Sequence, residues 1–339
     1  MNKIILGIDI SKKHFDVSLF MDNKHKDKKF SNNKIGYQSL KDWTVKYTPK
    51  YQDIGKIHVC LESTGFYGEG LAEFLYKKGY KVSIVNPSCI KSYARSKLCR
   101  HKTDKIDAQL IAEYCDKYNP DLWKPLPAEI KELRELARCI DALKLQYNQI
   151  TNQLEKESRQ SEFVTKTWLE LKLKLEEKIQ DLYREIDVVL SKSDPLNKAC
   201  NNLQTIPGIG KITAISLLAD VEDSVAKIAD VNAFKNARQL AAYAGLTPSQ
   251  RFSDSSIKGK PRLSKLGARR LRKTMFFPAL VAKRHNPIIK DFCKILEKKR
   301  KHAFCVVGAA MRKLFHIVFA VLKNETAFNP KLGVFIEYR

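Results

Sequence analysis

No two of the eight cysteines stand in a C-x-x-C pair, which removes zinc-ribbon and dithiol-redox motifs. Several of them fall on apolar faces, as buried free thiols do, and that fits a reducing cytosol. The start has no basic n-region followed by an apolar h-region; it enters a strand pattern directly, so no secretory signal is expected. No apolar run has the length and continuity of a membrane span. The longest near the C-terminus, Phe304 to Leu322, is broken by Arg312, Lys313 and His316 and reads as a core helix. Internal repeats and low-complexity tracts are absent. Proline and glycine are missing between Pro127 and Pro195, and acidic residues are missing from Lys258 to Lys273, where eight basic residues stand.

What is present begins with length and charge. The 339 residues exceed one compact core and suffice for two or three domains. A hydrophobic content of 44% is that of a globular protein. Lysine and arginine total 62 against 37 acidic residues, a net charge of +25. Such an excess repels itself in the compact state, so an anionic partner is expected, nucleic acid before a membrane surface. A lysine-rich, well-solvated surface gives the same charge without a partner.

Three regions follow from the patterning. Residues 1–122 alternate strand and helix: strands at Lys3–Ile10, Phe15–Phe20, near Lys28–Phe30, Ile57–Leu61 and Tyr80–Val85, with Asp22-Asn23 as turn residues. Helices are expected from Ile35 to Tyr47, Tyr67 to Lys78, Ser88 to Ser96 and from Thr103 onward. Three antiparallel strands followed by parallel strand–helix units predict a mixed α/β sheet flanked by helices. Residues 123–198 carry apolar side chains at steps of three and four, first Leu133 to Leu154, then Trp168 to Leu190. They predict two long helices in an antiparallel hairpin or coiled-coil arm; a plain bundle within one domain has the same spacing. Residues 199–339 read as a third, mainly helical unit.

Four carboxylates in the first region carry the strongest chemical signal. Asp9 lies inside the apolar strand Ile4-Ile5-Leu6-Gly7-Ile8-Asp9-Ile10, and Glu62 ends another, Ile57 to Leu61. Asp104 and Asp107 open an amphipathic helix, three residues apart and so on one face. A charge within a buried strand is costly unless something neutralises it. Oxygen donors of this kind suit Mg²⁺ or Mn²⁺. Taken singly, each acid has a plainer reading: Asp104 as a helix N-terminal charge, Glu62 as a turn residue. Together they point to a divalent metal site.

Two later motifs bear on a phosphate-bearing partner. Ile206-Pro207-Gly208-Ile209-Gly210-Lys211 reads as a tight turn between two helices and is similar to a helix-hairpin-helix element. Gly208 and Gly210 permit close backbone approach, and Lys211 stands beside the amides that open the second helix. A simple turn packed by Ile206 and Ile209 fits equally. The loop Leu246 to Lys260 holds Ser249, Ser253, Ser255 and Ser256, and runs into a tract with Lys258, Lys260, Arg262, Lys265, Arg269, Arg270, Arg272 and Lys273. A serine beside a phosphate backbone is a candidate nucleophile; a flexible polar loop has the same composition.

The ordered set of motifs resembles the DEDD insertion-sequence transposases of the IS110 family. It comprises Gly7-Ile8-Asp9, Glu62-Ser63-Thr64-Gly65, Asn86-Pro87 and Lys102-Thr103-Asp104-x-x-Asp107-Ala108, then Ile206 to Gly210, Ala244-Gly245-Leu246-Thr247-Pro248 and Gly259-x-x-Arg262-x-Ser264-Lys265-x-Gly267. The resemblance implies an RNase H-like (RuvC-like) domain bearing the tetrad Asp9, Glu62, Asp104 and Asp107, a coiled-coil arm, and a C-terminal domain with a catalytic serine. That serine falls on Ser253, with Ser255 and Ser256 as near alternatives. It further implies donor and target DNA and a structured noncoding guide RNA from the element; the acids lead to an expectation of Mg²⁺ or Mn²⁺, and the arm to a homo-oligomer, dimer or tetramer. Tetrad and serine lie in different expected domains. Three rivals accompany this expectation: a metal-dependent Holliday-junction-type nuclease using water, an actin-like or sugar-kinase-like ATPase, whose further glycine-rich phosphate loops find no match in this sequence, and a non-catalytic RNA-binding protein.

Overall fold

The structure, a computed structural model, describes residues 3–48, 54–62, 66–99, 103–155, 161–219, 234–249, 252–253, 257–258 and 262–331. Two compact units share the chain, which passes from one to the other between Leu126 and Pro127. The long helices expected as a separate arm share the second unit with the C-terminal helices.

The first unit runs β1 (Ile4–Ile10), β2 (His14–Met21), β3 (Lys24–Ser31), α1 (Lys34–Tyr47), β4 (Ile57–Glu62), α2 (Phe66–Lys77), β5 (Lys81–Val85), α3 (Pro87–Ser96) and α4 (Asp104–Tyr118). The strand order is β3-β2-β1-β4-β5. The first three strands pair antiparallel, while β1–β4 and β4–β5 pair parallel. This is the mixed sheet expected from the patterning. Asp22 and Asn23 both take positive φ, 52° and 59°, and join β2 to β3 in a two-residue hairpin. The third strand is eight residues long rather than three. Its sequence, Lys-His-Lys-Asp-Lys-Lys-Phe-Ser, lacks an apolar alternation, and pairing to β2 supplies what propensity does not.

Period-two alternation gives the sheet two cores. Ile4, Leu6, Ile8 and Ile10 of β1, with Ile57, Val59 and Leu61 of β4, pack beneath α1 and α2 through Leu40, Trp43, Leu71 and Leu75. Ile5 and Cys60 face the other way, against Ile90 and Tyr93 of α3 and Leu110, Ile111, Ala112 and Cys115 of α4. Asp9 and Glu62 are in step with Ile5 and Cys60 and therefore belong to the α3–α4 face.

The second unit is mainly helical: α5 (Ala128–Leu154), α6 (Glu162–Ser191), α7 (Asp194–Gln204), α8 (Lys211–Ala219), α9 (Ala237–Tyr243), α10 (Arg269–His285), α11 (Pro287–Lys298) and α12 (Ala303–Asn324). Helices α5 and α6 run antiparallel: Lys144 donates to the Tyr183 hydroxyl at 2.7 Å, and Lys172 lies over the Tyr147 ring at 5.3 Å. Helix α12 has the length and apolarity of a membrane span. It packs instead as a core helix, with Val306, Ala310, Leu314, Phe315, Val318 and Val321 buried among its neighbours.

Candidate active site

Parallel register brings the first two acids together. Gly7 lies opposite Cys60 and Ile8 opposite Leu61, so one step further along both strands sets Asp9 beside Glu62. They stand at the carboxyl ends of adjacent parallel strands, the edge at which open α/β sheets place their ligands.

Helix α4 supplies the other two. Thr103 caps it, its hydroxyl accepting from the Ile106 amide at 3.2 Å. Asp104 and Asp107 fall in the first turn, where the helix dipole favours carboxylates. The helix lies almost directly on β1 because residue 7 is glycine: a Cβ there would stand 2.2 Å from the Ala108 carbonyl oxygen and 2.3 Å from the Ala112 nitrogen. Gly7→Ala is therefore expected to lift α4 off the sheet and cost roughly 3 kcal/mol, as overpacked cores do. Denaturant unfolding checks it; a midpoint unchanged from wild type would contradict the packing.

A row of polar contacts fixes the helix along its length. Lys29, Asp27 and His25 alternate along β3 and meet successive turns of α4. Lys29 reaches Asp104 at 3.7 Å and Asp16 at 3.2 Å. Asp27 accepts from Gln109 at 2.8 Å and pairs with Lys105 at 3.2 Å. His25 stands 3.4 Å from Glu113, which also binds Lys97. None of these was expected from the sequence; the odd-numbered charges of β3 were the available signal.

Asp9, Glu62, Asp104 and Asp107 line one cavity of about 400 Å³. Its other wall is α3, capped by Asn86, whose side chain accepts from the Ser88 amide, and contributing Lys91 and Arg95. Burial, then the charges of Glu62, Asp107, Asp104 and Asp16, push the Asp9 carboxyl up to about 6. Among the described residues, no three His, Cys, Asp or Glu side chains close on a common point as a finished metal site. The donor set nonetheless fits a hard divalent cation: the lining acids offer oxygen ligands only, and burial followed by the neighbouring carboxylates raises the Asp9 carboxyl, an effect that a bound cation would offset.

The expected nucleic-acid residues divide by exposure. Arg262, Lys265, Arg269 and Lys273 are exposed. Arg270 is only 14% exposed and pairs with Asp141 of α5 at 2.9 Å. Arg272 donates to the carbonyls of Ala244 and Gly267 and braces the turn before α10. Gly208, at φ +106°, is covered by Pro278 and Ala282 of α10, whereas Gly210 has open space beside it. Lys211 is exposed and pairs with Asp187 at 2.5 Å. Ser253 lies on a two-residue strand, Phe252–Ser253, paired antiparallel with Ile257–Lys258. Ser255, Ser256 and Lys260 lie outside the described residues.

The chain matches a family model described as a transposase, of the DEDD IS110 type, over residues 6–157. A second, described as transposase IS116/IS110/IS902 family, matches residues 200–294. It is 34% identical over 337 residues to a pilin gene-inverting protein of Moraxella bovis, covering 98% of this chain and 99% of that one. A pilin gene-inverting protein of Moraxella lacunata matches to the same extent. The transposase for insertion sequence element IS1111A of Coxiella burnetii is 25% identical over 309 residues, covering 80% of this chain and 79% of that one.

Proposed function

Because the chain belongs to the IS110 family of transposases, whose members act on DNA and whose DEDD designation implies a divalent metal, we propose that Asp9, Glu62, Asp104 and Asp107 hold Mg²⁺ at a scissile phosphodiester and that Ser253 is the nucleophile. The observation that carries this reading is the meeting of four carboxylates from β1, β4 and α4 in one cavity. The strand order and the placement of the acids support an RNase H-like fold for the first unit.

A divalent ion bound there would neutralise the carboxylates and polarise a phosphate oxygen against in-line attack. The protein supplies the rest. Gly7 seats α4 so that Asp104 and Asp107 are held over the strand ends, and Lys29 orients Asp104 and Asp16. The Ser253 hydroxyl attacks phosphorus; the phosphodiester's leaving oxygen departs with a proton, and a phosphoserine linkage remains. Attack by the hydroxyl of a second strand then releases serine and rejoins the DNA. Exposed Arg262, Lys265, Arg269 and Lys273 grip backbone phosphates, with Lys258 and Lys260 of the same tract. A structured noncoding RNA from the element pairs with donor and target DNA and so chooses the sites, leaving the protein to read backbone and shape. The α5–α6 hairpin serves as a coiled-coil dimerisation arm, a role supported by Phe163 and Leu173 of α6, which are 80% and 66% exposed.

Cleavage and rejoining of this kind give excision or inversion according to the orientation of two sites on one molecule, and insertion when the sites lie on separate molecules. The two relatives that match along their full length are inverting proteins by name, which favours testing both. Plasmids carrying the element's junctions in direct and inverted orientation, with its flanking noncoding DNA, are expected to recombine with the wild-type chain. They should not recombine with Asp104→Ala, nor when the flanking DNA is removed. Recombination that persists without the flanking DNA would remove the guide RNA from the account.

A further inference from the structure

Lys91 and Arg95 stand out among the cations of the first unit. Neighbouring lysines are committed: Lys97 to Glu113, Lys105 to Asp27, Lys29 to Asp16 and Asp104, and Lys3 to Asp116. Lys91 and Arg95 form no ion pair with any described residue, although four carboxylates line the same cavity. Their charged groups thus stand beyond ion-pair distance from those carboxylates. Ile90 and Tyr93 anchor one side of α3 in the core, while Lys91 and Arg95, four residues apart, share its exposed side.

An acid-lined pocket repels a polyanion, and its neutralisation by a divalent cation leaves little net attraction for DNA. A cationic wall across the gap changes that balance. A phosphodiester seated between the walls would meet a cation-holding face on one side and two cations on the other. Arginine offers a planar fork of donors to two phosphate oxygens, and lysine a mobile point charge. We propose that Lys91 and Arg95 grip the DNA strand at or next to the phosphodiester that is cut, positioning it against the carboxylates. This rests on the site proposed above, whose functional residues did not include them.

The test uses the full-length chain with its flanking transcript and a duplex spanning the element junction. Lys91→Ala/Arg95→Ala is expected to keep the wild-type melting temperature, since both side chains are exposed, and to cut the duplex about 100-fold more slowly. Arg95→Lys should recover part of the rate. Replacing phosphates around the cut, one at a time, by neutral methylphosphonate should weaken binding by the wild-type chain at one or two positions and not by the double variant. Bound duplex should also slow alkylation of Cys99, an exposed thiol lining the same cavity. Cleavage by the double variant within twofold of wild type, or an undiminished methylphosphonate penalty, would overturn the proposal. Asp104→Asn separates the two levels. If that variant is inactive while the double variant cuts normally, only the basic wall is misassigned; if it cuts normally, the acidic site itself is.

Discussion

Asp9→Asn is expected to abolish strand cleavage, by about a thousandfold or more, without destabilising the protein. Loss of one charged ligand weakens the electrostatic stabilisation that phosphoryl transfer depends on. Stability should move the other way. In the folded chain the Asp9 carboxyl keeps its proton to about 6, against the ordinary 3.8. Between those values the folded state binds more protons than the unfolded state, so the contribution of Asp9 to stability falls as pH rises through that window and stays low above it. Asparagine does not titrate. Without divalent metal the variant should therefore melt above wild type at pH 7.5, and the difference should fade below about pH 4. Added Mg²⁺ should narrow it by raising the wild type. A variant that melts lower than wild type at every pH would mean that Asp9 is a structural acid.

Ser253→Ala should reduce recombination by a comparable factor, on the order of a thousandfold or more, through a different failure. Wild-type reactions stopped midway should contain protein covalently joined to a DNA strand, with the phosphate mapping to Ser253 by peptide mass spectrometry. The alanine variant should form no adduct while still binding DNA and metal. Ser253 pairs with Ile257 across a short ladder. Ser255→Ala and Ser256→Ala separate the neighbours: each should leave the adduct in place. Undiminished cleavage by Ser253→Ala would instead favour water as the nucleophile.

Much of the first unit was legible because its signals are local. Alternation in Ile4–Ile10 and Ile57–Glu62 assigns strands and, with the parallel pairing, a shared face for Asp9 and Glu62. The three-residue spacing of Asp104 and Asp107 needs only helix geometry. What could not be read is who meets whom across long separations. The polar third strand resembles a loop until β2 is beside it; its lysines suit an edge. Asp27 and Lys105 carry no mark of their pairing. In the basic tract, Arg269 and Arg270 are alike in sequence, yet adjacent helical residues point about 100° apart. One therefore faces solvent while the other turns inward to Asp141. Lys91 and Arg95 were invisible for the same reason: a surface charge declares no partner until the opposite wall is in place.

The claim on which the mechanism depends is that four acids from three elements share a divalent cation. Calorimetric titration of Mn²⁺ into the full-length chain bound to duplex DNA tests it most directly. Saturable binding in the wild type, weakened tenfold or more in Glu62→Gln and in Asp9→Asn, is the result expected from ligand loss. Equal affinity in wild type and both variants, or no binding in the wild type, would contradict it.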